Sequence, residues 1–566
     1  MRLNSNAEVM RKLELVWGVC GLLGIFYPCS VSYYSYLPVQ YAYLLYSGCY
    51  FGVWFGMILK RKFSAGQLCG IASWKWVDFL VASLMLLLSV RACADFKDNG
   101  FVLLQIAVST LGYYCFRNIP RKHFVWYIIA LLISGGIQIA YAFCTQADYF
   151  LLSEKGSRIY GSFLNTSVWG NYLALLLLMS LGMMAWGKRW CRLLLLIPCG
   201  LLLVLLWQSD SRTGWLAVLA EGTGWSYWRY LSKRKMHWRR TYLCFAVLIV
   251  SVFVSVICYS LYLHKKDSGN GRLLIWRVSC EMIKDAPLWG HGVNGFQKNY
   301  MLYQASFFNK YPTHKWRMLA DDNSFAFNEY IKFVVEHGVV AAVFFFSFFL
   351  YVLLKQTSVN RLENIFSKSM LPGWGIIALF SYPFFLWQFI VLLLFFVAGI
   401  GGGNTMCMPR RGTSICGIRK FIGISWMIIL FGGGILYGRK TILLFNRGTS
   451  LYAARRLDEA KDALKCSFLY TPDYNTAMLL GEIYSELQKC DSATYYWHLA
   501  SDMVPNRIMP HFYLFRLYRD CDIKKAYKEA ELIKNMPIKV YAPQLNDIYR
   551  EIDDFISHIP KEYSER

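Results

Sequence analysis

Apolar residues in this chain come in blocks separated by short polar stretches, and the block length is the first signal. Most blocks run for roughly 17–25 residues, the length that carries a helix across a bilayer. The run 241–262 contains no charged residue at all. A helix is the element such a run predicts, because every backbone group in lipid needs a partner within the segment. Blocks of this kind fall at 13–27, 39–59, 74–90, 101–116, 124–144, 163–186, 193–207, 214–231, 241–262, 328–354, 370–382, 385–400 and 421–438. The pattern predicts a mainly α, polytopic transmembrane bundle of about 12–13 spans. The short pair 370–382 and 385–400 also fits one re-entrant element, which leaves the parity of the topology unchanged.

Charge between the blocks sets an orientation. With the N-terminus inside, the inner loops hold KRK at 60–62, RNIPRK at 117–122, GKRWCR at 187–192, KRKMHWRR at 233–240, a segment at 355–368 and another at 409–420. Together with the N-terminal segment and Arg229 they contain 25 Lys and Arg, against five in the short outer loops. That asymmetry is the positive-inside pattern. It also explains the net charge of +25, because the 126 residues from 441 onward hold 17 basic and 18 acidic residues. Basic residues confined to loops between spans argue for topology and against nucleic-acid binding. The composition agrees, with 56% hydrophobic residues and a mean hydropathy of +0.33. The 17 cysteines include no CxxC pair and lie mostly in apolar blocks, where thiols act as small hydrophobes. No metal site is expected from them.

Two regions do not fit the membrane pattern. A long loop, 263–327, falls outside by parity and is expected to be periplasmic. The tail, 440–566, also falls outside, with the membrane domain ending near 438. In the tail Pro472, Pro505 and Pro537 stand 33 and 32 residues apart. That is close to the 34-residue period of tetratricopeptide repeats, in which a proline closes each unit. Tyr452, Leu457, Ala460 and Leu464, then Gly481, Tyr484, Ala493 and Tyr496, keep helical spacing within two such units. A C-terminal α-helical repeat domain is therefore expected, offering a face for a protein partner or bracing the rest of the chain.

Four polar segments sit where outer loops meet spans. Gly161–Thr166 brings Asn165 to the start of a span, where it can cap the helix. Ser209–Trp215 turns between two spans and holds Ser211 and Arg212, the latter the one basic residue of that turn. A guanidinium there could clasp phosphate oxygens or pair with Asp210. Ser268–Arg277 combines a Gly-rich start with Arg272 and Trp276. It predicts a short amphipathic helix over 272–284 with Arg272 at its positive end, followed by a tight loop built on Pro287, Gly290, Gly292 and Gly295. Asp321–Tyr330 runs into a span and contains Asp322, Asn328 and Glu329. Glu329, Lys332 and Glu336 share one helical face, where they could simply pair with one another.

In this order the segments resemble the O-antigen ligase and polymerase family of integral-membrane glycan transferases. The shared features are an Asn-containing G-x-F-x-N box, an S-R-x-G-W turn, an S-G-R-L-x-I-W helix with P-L-x-G-x-G after it, an N-E-Y helix start ending E-x-G, and Ser381-Tyr382-Pro383. The resemblance covers about 155–400. It implies a GT-C-like membrane fold and a donor glycan on undecaprenyl diphosphate, used without metal, nucleotide or other cofactor. It also implies that Arg212 and Arg272 bind the diphosphate, with Asn165, Ser211, Trp276 and Asn328 in support. One position departs from the family. Phe327 stands where ligases carry the His proposed as general base, and phenylalanine cannot take a proton. Asp322, Glu329 and His314 are the candidates to replace it.

The resemblance implies a bacterial inner-membrane transferase whose acceptor is a lipid or a protein: a surface-polysaccharide ligase, a polymerase, or a protein O-oligosaccharyltransferase. A transporter of lipid-linked sugars is the competing class, but matching halves with broken spans are not evident. A non-catalytic scaffold that recruits partners through the tail is the third, and it has no need for both arginines.

Overall fold

The computed structural model describes residues 2–25, 37–64, 75–94, 99–151, 159–163, 165–186, 189–231, 266–354, 362–400, 431–436, 443–539 and 543–558. Among these the regular structure is helical. The expected span 241–262, and most of 421–438, lie outside the described residues. The chain forms two compact units. One comprises Met1–Leu261, Phe327–Tyr330 and Ala342–Arg439; the other comprises Tyr262–Ala326, Ile331–Ala341 and Lys440–Arg566. The long loop thus shares a unit with the tail.

The first unit contains α1 (Arg2–Ile25), α2 (Leu37–Ser64), α3 (Trp76–Ala94), α4 (Gly100–Arg117), α5 (Phe124–Leu151), α6 (Thr166–Trp186), α7 (Arg189–Gln208) and α8 (Arg212–Leu231). Among the described residues, five helical segments are long and apolar enough to cross a bilayer: Val39–Lys62, Trp76–Ala94, Arg121–Thr145, Thr166–Met184 and Glu329–Leu354. Arg192–Gln208 and Trp387–Gly399 are shorter apolar helices. This is a polytopic helical membrane bundle. Lipid gives helices no hydrophobic reason to associate, so packing and polar contacts must hold them. Both are present. Trp54 stacks on Tyr127 with centroids 5.5 Å apart, and Phe116 meets Trp54 edge-on at 5.9 Å. Arg117 grips Asp78 with Nε and Nη2 at 2.8 and 2.9 Å, while its Nη1 donates to the carbonyls of Ala398 and Ile400. On α7, Trp190 and Trp207 are 78% and 76% exposed. At about 1.5 Å per residue they stand roughly 26 Å apart, the spacing of two interfacial aromatic belts.

One span boundary is corrected. The helix expected over 370–382 begins eight residues earlier, as α12 (Leu362–Phe380), whose first turns take in the charged Glu363 and Lys368 and the buried polar Asn364, Ser367 and Ser369. The turn Ser381–Leu386 separates it from α13 (Trp387–Gly399), so the pair consists of two distinct helices. Ahead of this pair in the chain, α11 (Glu329–Leu354) breaks at Gly338, whose φ of 78° and ψ of 172° are not helical.

The second unit begins with α9 (Lys266–Asp285) and α10 (Gly295–Lys310). The Gly-rich stretch at 268–271 was expected to precede a helix starting at Arg272, yet it lies inside α9. Each Gly costs about 1 kcal/mol there, and burial of Leu274, Ile275, Val278 and Met282 on one face outweighs it. Arg272 is consequently in the second turn and not at the helix N-terminus. The tail consists of a helix over 443–453 and then α14 (Leu457–Tyr470), α15 (Tyr474–Glu486), α16 (Cys490–Met503), α17 (Ile508–Arg519), α18 (Ile523–Asn535) and α19 (Gln544–His558). α14, α16 and α18 start at 457, 490 and 523, a spacing of 33, and Pro472, Pro505 and Pro537 follow them. Each helix packs on the next around a shared core that includes Leu464, Leu480, Trp497, Leu514, Phe515 and Ile533. Gly481 is required at its position, because a Cβ there would lie 2.3 Å from Trp497 Nε1.

Candidate functional site

In the first unit the candidate residues sit at helix starts, and their side chains build those starts. Asn165 accepts from the backbone N–H groups of Ser167 (2.9 Å) and Val168 (3.3 Å), so it caps α6. Its Nδ2 donates to the Tyr382 hydroxyl at 3.3 Å. Ser211 caps α8 in the same way, accepting from Gly214 N at 3.1 Å. The Ser211 hydroxyl also lies 3.0 Å from both Ser167 O and Asn171 Oδ1. Two glycines bring α6 and α8 together here. A Cβ on Gly170 would fall 2.3 Å from Ser209 Oγ, and one on Gly214 would fall 2.9 Å from Gly170 O. The turn that carries Arg212 is therefore fixed from both sides, and Asp210 is the guanidinium's electrostatic partner.

Phe327, Asn328 and Glu329 form the start of α11. Asn328 is buried and accepts from Tyr330 N at 3.0 Å, which makes it the cap, and Glu329 is buried behind it. Tyr330 donates its hydroxyl to Gly375 O at 3.0 Å. Phe327 adopts φ 50°, a left-handed conformation that is an outlier for a bulky residue. Its ring meets Tyr382 edge-on at 5.5 Å. Sequence reasoning noted the Ser381–Pro383 turn but did not place Tyr382 in the site. Its contact with Asn165 spans 217 residues, and no local pattern announces it.

In the second unit, the P-L-x-G-x-G loop and the E-x-G break lock together. His291 N donates to Val335 O (2.8 Å), Gly292 N to Glu336 O (3.0 Å) and Val339 N to Pro287 O (2.9 Å). The glycines are needed for closeness. A Cβ on Gly290 would lie 2.5 Å from the Glu336 carbonyl carbon, and one on Gly338 would lie 2.0 Å from Leu288 O. His291 is held against Met282 O at 2.7 Å and stands edge-on to Tyr303. Burial and its hydrogen bond to Asp285 push the Tyr303 hydroxyl up to about 12.

Arg272 is part-buried on α9, one turn before Trp276, whose Nε1 donates to Ala326 O at 3.1 Å. Trp276 thus pins the backbone just ahead of Phe327. His314 stacks edge-on with Phe307 and Trp316, and its Nδ1 accepts from Trp316 N. Burial, with Lys315 and Arg277 nearby, pushes its pKa down. Asp322 differs from the other two candidate bases. Burial raises its carboxyl to about 7, Asp473 and Asp321 add to that, and the Tyr474 N–H and Arg507 oppose it. Its Oδ1 has no exposed surface and no hydrogen bond among the described residues. A base poised near neutrality is the kind that general-base chemistry uses. Among the described residues no three His, Cys, Asp or Glu side chains gather to hold a metal ion.

Fold and site together define a multi-pass helical membrane protein with polar, tightly capped turns beside its spans. Residues 197–346 match the family model described as O-Antigen ligase. That segment contains Ser211, Arg212, Arg272, Trp276, His314, Asp322, Asn328 and Glu329; the Asn165 box and the Ser381–Pro383 turn lie beyond it. No curated protein matches the chain.

Proposed function

We propose that the protein transfers a glycan from an undecaprenyl-diphosphate carrier to an acceptor hydroxyl at the periplasmic face of the bacterial inner membrane. The observation that carries this reading is the match to the O-Antigen ligase family over the segment that holds both arginines and the candidate bases. In the reaction the acceptor oxygen bonds to the anomeric carbon of the donor sugar. The bond from that carbon to the diphosphate oxygen breaks, and undecaprenyl diphosphate leaves. Negative charge grows on the leaving group, and fixed donors aimed at it lower the barrier. Arg212 and Arg272 each supply a planar guanidinium suited to phosphate oxygens. Asp322 takes the acceptor's proton, in place of the His that the family resemblance leads one to expect at Phe327. The tail, read as tetratricopeptide repeats, suits a protein partner or acceptor, and the donor chemistry is the same for a lipid acceptor.

The test is a deletion strain complemented with variants. Without the gene, long lipid-linked glycans accumulate and the acceptor stays bare. Arg212→Ala, Arg272→Ala and Asp322→Asn each insert into the membrane normally and fail to restore transfer. Wild-type transfer by both arginine variants overturns the diphosphate role, and short repeat units in the deletion strain identify a polymerase instead.

A further inference from the structure

The segment 317–323 has a single 3-10 turn, Arg317–Leu319, yet its polar groups are held from the tail. Asn506 aims Nδ2 at the carbonyls of Arg317 (3.5 Å), Met318 (3.0 Å) and Ala320 (2.7 Å). Gln304 of α10, fully buried, donates to Asp321 O at 3.1 Å and to Met503 O at 2.6 Å, tying the segment to the end of α16. Arg507 and Lys539 reach the Asp321 carboxylate at 2.9 and 3.6 Å. Asn475 donates to Asp322 Oδ2 at 3.4 Å, and the Tyr474 N–H also points at that carboxyl. All of these residues belong to the second unit.

We propose that the C-terminal helices act in cis as part of the transfer apparatus, with Asp473, Asn475, Asn506 and Arg507 as positioning residues for the Asp322 carboxyl. This rests on the reading of Asp322 as the base. The sequence left two uses for the tail, a face for a protein partner or a brace for the rest of the chain. Here several polar side chains of the tail are spent on the chain's own loop. Asn506 fixes the backbone that leads to Asp322, and the start of α15 delivers the groups that meet its side chain. The charged and titratable groups facing Asp322 are Asp473 and Tyr474 from that helix start, Arg507 from the turn before α17, and Asp321 from its own segment, itself paired with Lys539. The two tail charges act in opposite senses. Asp473 disfavours the Asp322 anion, and Arg507 favours it.

The experiment is a pH profile of kcat/KM for transfer from lipid-linked donor in membranes, with hydrogen exchange over 317–323 measured on the same full-length variants. Asp473→Asn keeps the α15 cap, since Asn caps as well as Asp, and removes the charge. It moves the acid limb of the profile down by roughly half a unit to one unit. Arg507→Gln moves the limb up. Asn506→Ala speeds exchange over 317–323 and lowers kcat with KM for the donor unchanged. Opposite shifts separate a tuning role from simple damage, which moves both profiles alike. If Asp322→Asn is inactive while Asp473→Asn and Arg507→Gln leave the limb in place, or shift it in one direction, the role of the tail is overturned. If Asp322→Asn retains the wild-type profile, the base assignment falls and this proposal falls with it, while the arginine variants still judge the transfer reading separately.

Discussion

Phe327 sets its ring edge against Tyr382, centroids 5.5 Å apart, from a backbone held at φ 50°. The position is strained for any β-carbon-bearing residue, and most of all for a β-branched one. Asn and Asp tolerate the left-handed region better than other non-Gly residues. Phe327→Val should therefore destabilise the detergent-solubilised protein more than Phe327→Asn, although Val is the closer match in polarity. The difference should be about 1 kcal/mol, read as a shift in thermal midpoint. The reverse order would mean that the ring contact with Tyr382, and not the backbone, dominates this position.

Three glycines of the second unit separate two effects that are usually mixed. Gly290, Gly292 and Gly338 all have positive φ, of 67°, 88° and 78°. A Cβ on Gly292 would meet nothing within 4 Å, whereas one on Gly290 or Gly338 would strike backbone atoms at 2.5 or 2.0 Å. Gly292→Ala should cost only the conformational term, about 1–2 kcal/mol. Gly290→Ala and Gly338→Ala must also pry apart the loop at 287–292 and the break at 335–339, and should cost about 2–4 kcal/mol. Limited proteolysis of the second unit ranks them. Equal sensitivity of all three variants would show that the tight approach is not a determinant of stability.

The membrane helices were legible because span length and hydrophobicity are local properties, and the five qualifying segments fall on blocks visible in the sequence. The capping role of Asn165 was legible from residue type and position, again local, whereas those of Ser211 and Asn328 came from the structure. What the sequence could not convey was α10, whose residues Gly295–Lys310 mix Tyr, Phe, Gln and Lys without a clean helical stripe. For α9 the helix was expected over 272–284 and only its start was missed, where burial of one face overrode four residues of loop-like composition. Least legible was the pairing of Asn506 with Ala320 across 186 residues. A polar side chain that bonds a distant carbonyl leaves no periodicity to read. The 33-residue helix spacing was visible through its prolines, but the partner of those helices was not.

The crossing of α6 and α8 gives a further test. Ser211→Ala removes the α8 cap and should cost about 1 kcal/mol, leaving the helix approach intact. Gly214→Ala places a methyl 2.9 Å from both Gly170 O and Leu206 Cδ1, so the helices must separate and Arg212, at the first position of α8, must move with them. On the proposed role of Arg212, Gly214→Ala should lose transfer by tenfold or more, and Ser211→Ala should keep most of it. Membrane preparations adjusted to equal protein allow the comparison. Full activity in Gly214→Ala would detach the geometry of this turn from function.

Asp322 also makes the stability of the second unit depend on pH, with a sign that differs from most carboxyls. Its folded pKa, near 7, lies above the ordinary value of about 3.9 expected on unfolding. Between those values the folded state holds the extra proton, so stability falls as pH rises. The contribution is complete below about pH 4 and is lost as pH passes about 7. Each unit is worth about 1.4 kcal/mol, and a part-exposed residue realises only some of that, on the order of 2 kcal/mol in all. Asp473 and Glu482 are also raised by burial, so the wild-type slope alone does not isolate Asp322; the comparison with Asp322→Asn does. The variant is neutral at every pH, should lose that share of the slope, and should be the more stable protein at pH 8. Thermal midpoints and exchange over 317–323 at pH 5 and 8 measure both. If the two proteins keep the same slope, the Asp322 carboxyl is ionised throughout this range, and the contacts from Asn475, Tyr474 and Arg507 hold it as an anion.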